Sequence, residues 1–165
     1  IDSRLVKNSQ DLSDLNGLIL PGGESTTMSN LLLRDQSFIE AIKSFSEKKP
    51  IFGTCAGLIL MSKNSFDKKV LNMNILDIEV SRNAYGRQVH SFEDSITLES
   101  KEDNSKLIKA SFIRAPKITN IGKDVDVLCK HNNEIVGVKQ GIHMALTCHP
   151  ELQNEILLHK LCFKS

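Results

Sequence analysis

Pro50-Ile51-Phe52-Gly53-Thr54-Cys55-Ala56-Gly57-Leu58-Ile59-Leu60-Met61 decides the fold. It reads as a short apolar strand, a sharp turn and an apolar helix. The turn carries one cysteine with a glycine two residues to either side, the G-x-C-x-G form of a nucleophile elbow. At such a corner the backbone is tight, and side chains at Gly53 and Gly57 would strike neighbouring segments. The helix that follows points its N-terminus at the sulfur, and its partial positive charge favours thiolate. The N–H of Ala56 is then placed to donate to an oxyanion. A buried cysteine between a core strand and a core helix gives the same apolar run, so this stretch alone leaves both readings open.

A second glycine turn precedes it. Leu18-Ile19-Leu20 is a brief apolar strand that ends in Pro21-Gly22-Gly23-Glu24-Ser25-Thr26-Thr27. Two glycines after a buried strand suit a backbone that approaches a ligand closely, although an ordinary strand-to-helix loop reads alike. The turn lacks the G-K-[ST] ending of a P-loop. Ser25 or Thr26 is expected to cap a helix over Met28 to Leu33, and Ser37 a second over Phe38 to Phe45. Strand, helix, strand, helix argues for a parallel sheet covered by helices, with reactive groups at the carboxyl ends of its strands.

Beyond Asn64 the pattern turns to alternation. Strands are expected at Ile75 to Val80, Asp94 to Leu98, Lys109 to Ile113, Val125 to Cys129, Ile135 to Lys139 and Ala145 to Cys148, with a hairpin turn at Asn132-Asn133. A further short strand is expected over Ser3 to Lys7, and a helical turn within Ser9 to Leu15. Glu151 to Phe163 reads as a final helix with Ile156, Leu157, Leu161 and Cys162 toward the core. Just before it stands Cys148-His149-Pro150-Glu151. Proline biases His149 toward extended backbone, where residues two apart share a side, so Glu151 can steady the imidazole. Cysteine, base and acid form the logic of acyl transfer. A histidine on a turn and a glutamate opening a helix is the plainer alternative.

The chain has 165 residues, 40% of them apolar, enough for one domain with a core. With 21 Lys+Arg against 20 Asp+Glu, no basic face is implied and nucleic acid is a poor partner. No apolar run is long enough to span a bilayer, and no signal peptide or repeat is visible. Cys55, Cys129, Cys148 and Cys162 form no C-x-x-C pair. That disfavours structural zinc and a disulfide framework and fits a reducing, cytoplasmic setting. No metal and no cofactor are expected.

Together, L-P-G-G-E-S-T-T at 20–27, G-T-C-A-G at 53–57 and H-P-E at 149–151 resemble the class I (triad) glutamine amidotransferases. The finer resemblance is to the branch of glutaminase subunits of pyridoxal 5′-phosphate synthase. Ser81-Arg82-Asn83-Ala84-Tyr85-Gly86-Arg87-Gln88 and Phe112-Ile113-Arg114-Ala115-Pro116 carry it, with His131-Asn132 and Lys139-Gln140-Gly141 in the expected order. It runs from about Asp11 to the C-terminus.

The resemblance implies a three-layer α/β fold, a mostly parallel central sheet flanked by helices with an added antiparallel part. It implies hydrolysis of L-glutamine to glutamate and ammonia. Cys55 would be nucleophile, His149 acid and base, Glu151 the orienting carboxylate, and Gly23 and Ala56 the oxyanion donors. Gly22, Gly23, Glu24, Arg82, Ile113 and Arg114 would hold the substrate, Glu24 facing its ammonium. The implied partner is a (β/α)₈-barrel synthase subunit that consumes the ammonia and activates the glutaminase on docking. Family members begin with a strand and loop of the form G-V-L-x-L-Q-G. The chain opens on Ile1 without it, so a single glutaminase domain, truncated at its N-terminus, is expected. His90 stands where the branch often has an acid. Three alternatives are a glutaminase serving another synthase, a catalytically impaired binding subunit of the same complex, and, last, a cysteine peptidase.

Overall fold

A computed structural model describes residues 2–82, 91–99 and 105–163. The expected strand at Leu18–Leu20 (β1) lies beside Ile51–Thr54 (β2), both parallel, Leu20 opposite Gly53. His143–Leu146 (β10) flanks β2 on its other side, again parallel. β2 is therefore central, and all four of its residues are buried. Alternation along it sends Ile51 and Phe52 into separate apolar clusters on the two faces of the sheet. One cluster lies under two helices, Ser25–Leu32 (α1) and Gln36–Ser46 (α2). The other lies under Leu157–Phe163 (α4), through Leu158 and Cys162.

Four antiparallel strands extend this parallel core: Phe92–Leu98 (β5), Lys106–Phe112 (β6), Asp126–His131 (β8) and Glu134–Gln140 (β9). The seven-stranded order is β1-β2-β10-β9-β8-β5-β6. A second sheet joins Ser62–Asn64 (β3), Leu76–Ser81 (β4) and Lys117–Ile121 (β7). The fold class is the expected α/β one. The balance differs, because parallel pairing in the main sheet is confined to β1, β2 and β10.

The elbow helix, Ala56–Met61 (α3), is short and buried along its whole length. Each of Leu58, Leu60 and Met61 contributes roughly 1.5–3 kcal/mol by leaving water. A buried helix end must satisfy its last carbonyls. Here the Ile59 carbonyl accepts from the Ser62 hydroxyl at 2.7 Å and the Asn72 amide at 2.9 Å. The chain then turns directly into β3.

Several local expectations are corrected. Residues 3–7 form no strand; a 3-10 turn over Ser9–Leu12 opens the ordered elements, capped by Asn8. Glu24, not Ser25 or Thr26, caps α1, and Asp35, not Ser37, caps α2. An acidic side chain also complements the positive helix end, and Ser37 serves by donating to Asp35 at 2.6 Å. The final helix is broken. A 3-10 turn at Glu151–Gln153 ends at Asn154, which has φ 56, and α4 starts only at Leu157. Ile156 and Leu161 therefore face outward, 52% and 42% exposed, and Leu158 takes the core position. The Asn132-Asn133 turn is as expected, with φ of 46 and 67, the double positive pair that matches strand twist in a two-residue hairpin. Among the described residues, no helix is long and apolar enough to cross a membrane.

Candidate active site

Cys55 sits between β2 and α3 with φ 50 and ψ −105. That conformation is costly for a side-chain-bearing residue and is held by its surroundings. The Cys55 N–H donates to the Leu146 carbonyl of β10 at 2.8 Å. The flanking glycines are required by space. A Cβ on Gly57 would lie 1.9 Å from the Leu20 carbonyl oxygen, and one on Gly53 2.9 Å from the Gly57 carbonyl carbon. Without them α3 could not press onto the ends of β1 and β2.

β6 brings the histidine. Ser111 and His149 exchange two backbone hydrogen bonds, of 3.0 and 2.8 Å. The Gln153 amide donates to the Ser111 hydroxyl at 2.8 Å, tying the turn after His149 to the same strand. Two residues beyond Ser111, the Ile113 carbonyl lies 4.0 Å from the Cys55 sulfur. His149 Nδ1 is 2.7 Å from Glu151 Oε1. The pair meets for a different reason than the one expected. Pro150 is in the right-handed helical region and Glu151 opens a 3-10 turn, so the turn, not an extended strand, folds the carboxylate back onto the ring.

Hydrogen bonding to the Cys55 sulfur, and then to Glu151, raises His149 to about 9 against the opposing effect of burial. Burial pushes Glu151 up, but the His149 hydrogen bond, its own backbone and the nearby imidazoles together bring it below the ordinary carboxylate value. The sulfur and the carboxylate thus both favour the charged form of the one imidazole. Thr54 reaches toward Glu151 Oε1 at 3.5 Å from the strand end.

The Gly22-Gly23 turn lies against this imidazole. A Cβ on Gly22 would come within 2.2 Å of the His149 ring, and Gly23 has φ 151, where a side chain would be strained. The Ala56 N–H is the first of α3 and, like all first-turn donors, has no partner within its helix. Glu24 Oε1 and Oε2 accept from the N–H groups of Thr26 and Thr27 at 3.0 and 2.6 Å, from the Thr27 hydroxyl at 2.7 Å and from Arg82 at 3.2 Å. Four donors fill a carboxylate. The contacts from Thr26 and Thr27, the Thr27 hydroxyl first, lower Glu24 to about 2. Arg82 also pairs with Asp67. Arg114, at φ 45, is exposed just past β6 beside Ile113. Asn83 to Gln88 and His90 lie outside the described residues. Asp67 and His159 were missed from sequence, because neither falls in a motif and each meets the site only through the fold; Thr54, inside G-T-C-A-G, was given no role there.

A cysteine at a strand–helix corner, near an imidazole that a carboxylate holds, beside a glycine turn, is an arrangement suited to acyl transfer. Comparison with known proteins gives the same class. A crystal structure described as a glutamine amidotransferase superposes with a TM-score of 0.89 at 34% identity, over 99% of this chain and 86% of that one. A glutamine amidotransferase from Thermotoga maritima, 14% identical with a TM-score of 0.55 over 91% of this chain and 67% of that one, shares the fold. The model of the SNO glutamine amidotransferase family matches residues 1–164, and the chain belongs to that family. A relative from Shouchella clausii is 46% identical over 160 residues, covering 96% of this chain and 80% of that protein. One from Oenococcus oeni is 44% identical over 159 residues, covering 96% and 81%. Both are named pyridoxal 5′-phosphate synthase subunit PdxT.

Proposed function

We propose that this chain is the glutaminase subunit of a pyridoxal 5′-phosphate synthase, a single glutaminase domain that hydrolyses L-glutamine and passes the ammonia to a synthase subunit. The family and the names of its relatives support the reaction. The observation that carries it to particular residues is the His149 imidazole, its Nδ1 2.7 Å from Glu151 Oε1 and its pKa raised first of all by Cys55.

Cys55 attacks the side-chain amide carbon of glutamine. The tetrahedral oxyanion is held by the N–H groups of Gly23 and Ala56. His149 protonates the departing nitrogen, and ammonia leaves a glutamyl thioester on Cys55. Now neutral, His149 takes a proton from water; the resulting hydroxide attacks the thioester, and glutamate departs with the thiol restored. Glu151 orients the ring and stabilises its cation. Gly22, Gly23, Glu24, Arg82, Ile113 and Arg114 surround the α-amino and α-carboxylate groups. Arg82 offers a planar fork for the carboxylate; Glu24 and Asp67, which already pair with it, set its orientation and compete for it.

Ammonia released to water is mostly protonated and lost, so the product has to pass directly to its consumer. A (β/α)₈-barrel synthase subunit is the proposed partner, in a hetero-oligomer within the cytoplasm. Four free thiols suit that reducing setting. Docking acts on the glycine turn that carries the Gly23 donor.

The test is labelling with an electrophilic glutamine analogue. Burial pushes Cys129 and Cys162 up to about 12 and Cys148 higher still, so these thiols stay protonated and unreactive. Mass spectrometry should find the label on Cys55 alone, with protection by L-glutamine. Labelling spread over the four cysteines would contradict the assignment.

A further inference from the structure

Among the described residues, two buried side-chain atoms have no hydrogen-bond partner: Glu151 Oε2 and His159 Nδ1. One is an acceptor and the other is able to donate. An unpartnered polar atom in a protein interior is uncommon and calls for a reason. His159 lies on α4, and its ring packs against Phe52 with centroids 4.5 Å apart. Phe52 belongs to β2, the strand that delivers Cys55. Residues two apart on a strand share a face, so His159, stacked on Phe52, and Glu151, which Thr54 approaches at 3.5 Å, stand on the same side of the strand that carries the elbow. Glu151 and His159 are close enough for each to perturb the other's titration.

We infer that His159 is a positioning residue for Glu151, its Nδ1–H reaching Oε2 through a single buried water. This rests on the glutaminase reading above. Burial lowers the His159 pKa despite the neighbouring carboxylate, so the ring is neutral at neutral pH. A neutral imidazole still has one N–H to give, and it adds no cation that would compete with His149 for the carboxylate. With Oε2 held, the carboxylate plane is fixed and Oε1 stays aimed at His149 Nδ1. Thr54, at 3.5 Å from Oε1, supports the same orientation from β2. The chain of contacts then runs Cys55, His149, Glu151, His159.

The test uses the complex with a synthase subunit, reading glutamate release. His159→Phe keeps a ring against Phe52 and removes the donor; kcat should fall about tenfold with KM and the melting temperature unchanged. His159→Asn, whose amide N–H replaces Nδ1–H, should recover most of the loss. In a Glu151→Gln background, His159→Phe should have no further effect, because the residue acts only through that carboxylate. If His159→Phe leaves kcat within twofold, or its loss multiplies fully with that of Glu151→Gln, the inference is overturned and the glutaminase reading stands. If the unaltered complex shows no turnover that Cys55→Ala abolishes, the glutaminase reading fails and takes this inference with it.

Discussion

In the proposed mechanism His149 concentrates the chemistry. It must carry a proton to release ammonia and lack one to activate water, so its pKa sets the working range. The Cys55 hydrogen bond is the larger cause of the shift to about 9 and Glu151 the next. In a histidine-selective NMR titration, His149 should titrate near pH 9. Glu151→Gln should lower that value and Cys55→Ala should lower it further. Unchanged titration in both variants would contradict the coupled chain. The sign for stability follows from the same shift. A ring raised above its ordinary 6.5 contributes stability in full below that pH and loses it as pH rises toward 9.

At the scale of elements, the site depends on how closely α3, β1 and the glycine turn approach. A Cβ on Gly57 would meet backbone, the Leu20 carbonyl oxygen at 1.9 Å, and neither partner can rotate away. Gly57→Ala should destabilise by about 3 kcal/mol, seen as a melting temperature lower by roughly 10 °C; an unchanged melting curve would refute the close packing. Glu24 makes a second element-scale case. Its folded pKa of about 2 lies below the ordinary 4.5, so its cap on α1 is complete above pH 4.5 and lost as pH falls toward 2. The stability gap between the unaltered protein and Glu24→Gln, measured in urea, should therefore narrow between pH 5 and pH 3. A gap that stays constant would mean that the charge of Glu24 contributes nothing. These elements also mark what the sequence could convey. β2 and α3 were legible because an apolar run was interrupted only by the turn Gly53-Thr54-Cys55-Ala56-Gly57. β7 was not, since Lys117-Ile118-Thr119-Asn120-Ile121 buries one side chain and is held by pairing with β4. Caps were misplaced by one or two residues, because serine, threonine and acids all cap and only geometry decides among them. The His149–Glu151 contact was expected, but through extended backbone; a 3-10 turn makes it. His159 carried no signal, since a lone histidine in an apolar helix gains meaning only from the orphaned oxygen it approaches.

For the molecule as a whole, β2 and β10 supply the floor of the site, β6 swings His149 over it, and α3 and the glycine turn close its sides. Cys55 sits at the end of a buried strand and His149 in a segment fastened to one, a preorganised arrangement. What such a site leaves open is the fate of ammonia, which only a docked partner can secure. The decisive measurement is glutamate release from L-glutamine by this chain, alone and with a pyridoxal 5′-phosphate synthase subunit, beside Cys55→Ala. The account predicts turnover that rises on adding the synthase and vanishes in Cys55→Ala. Turnover that survives in Cys55→Ala, or none with the synthase present, would contradict it.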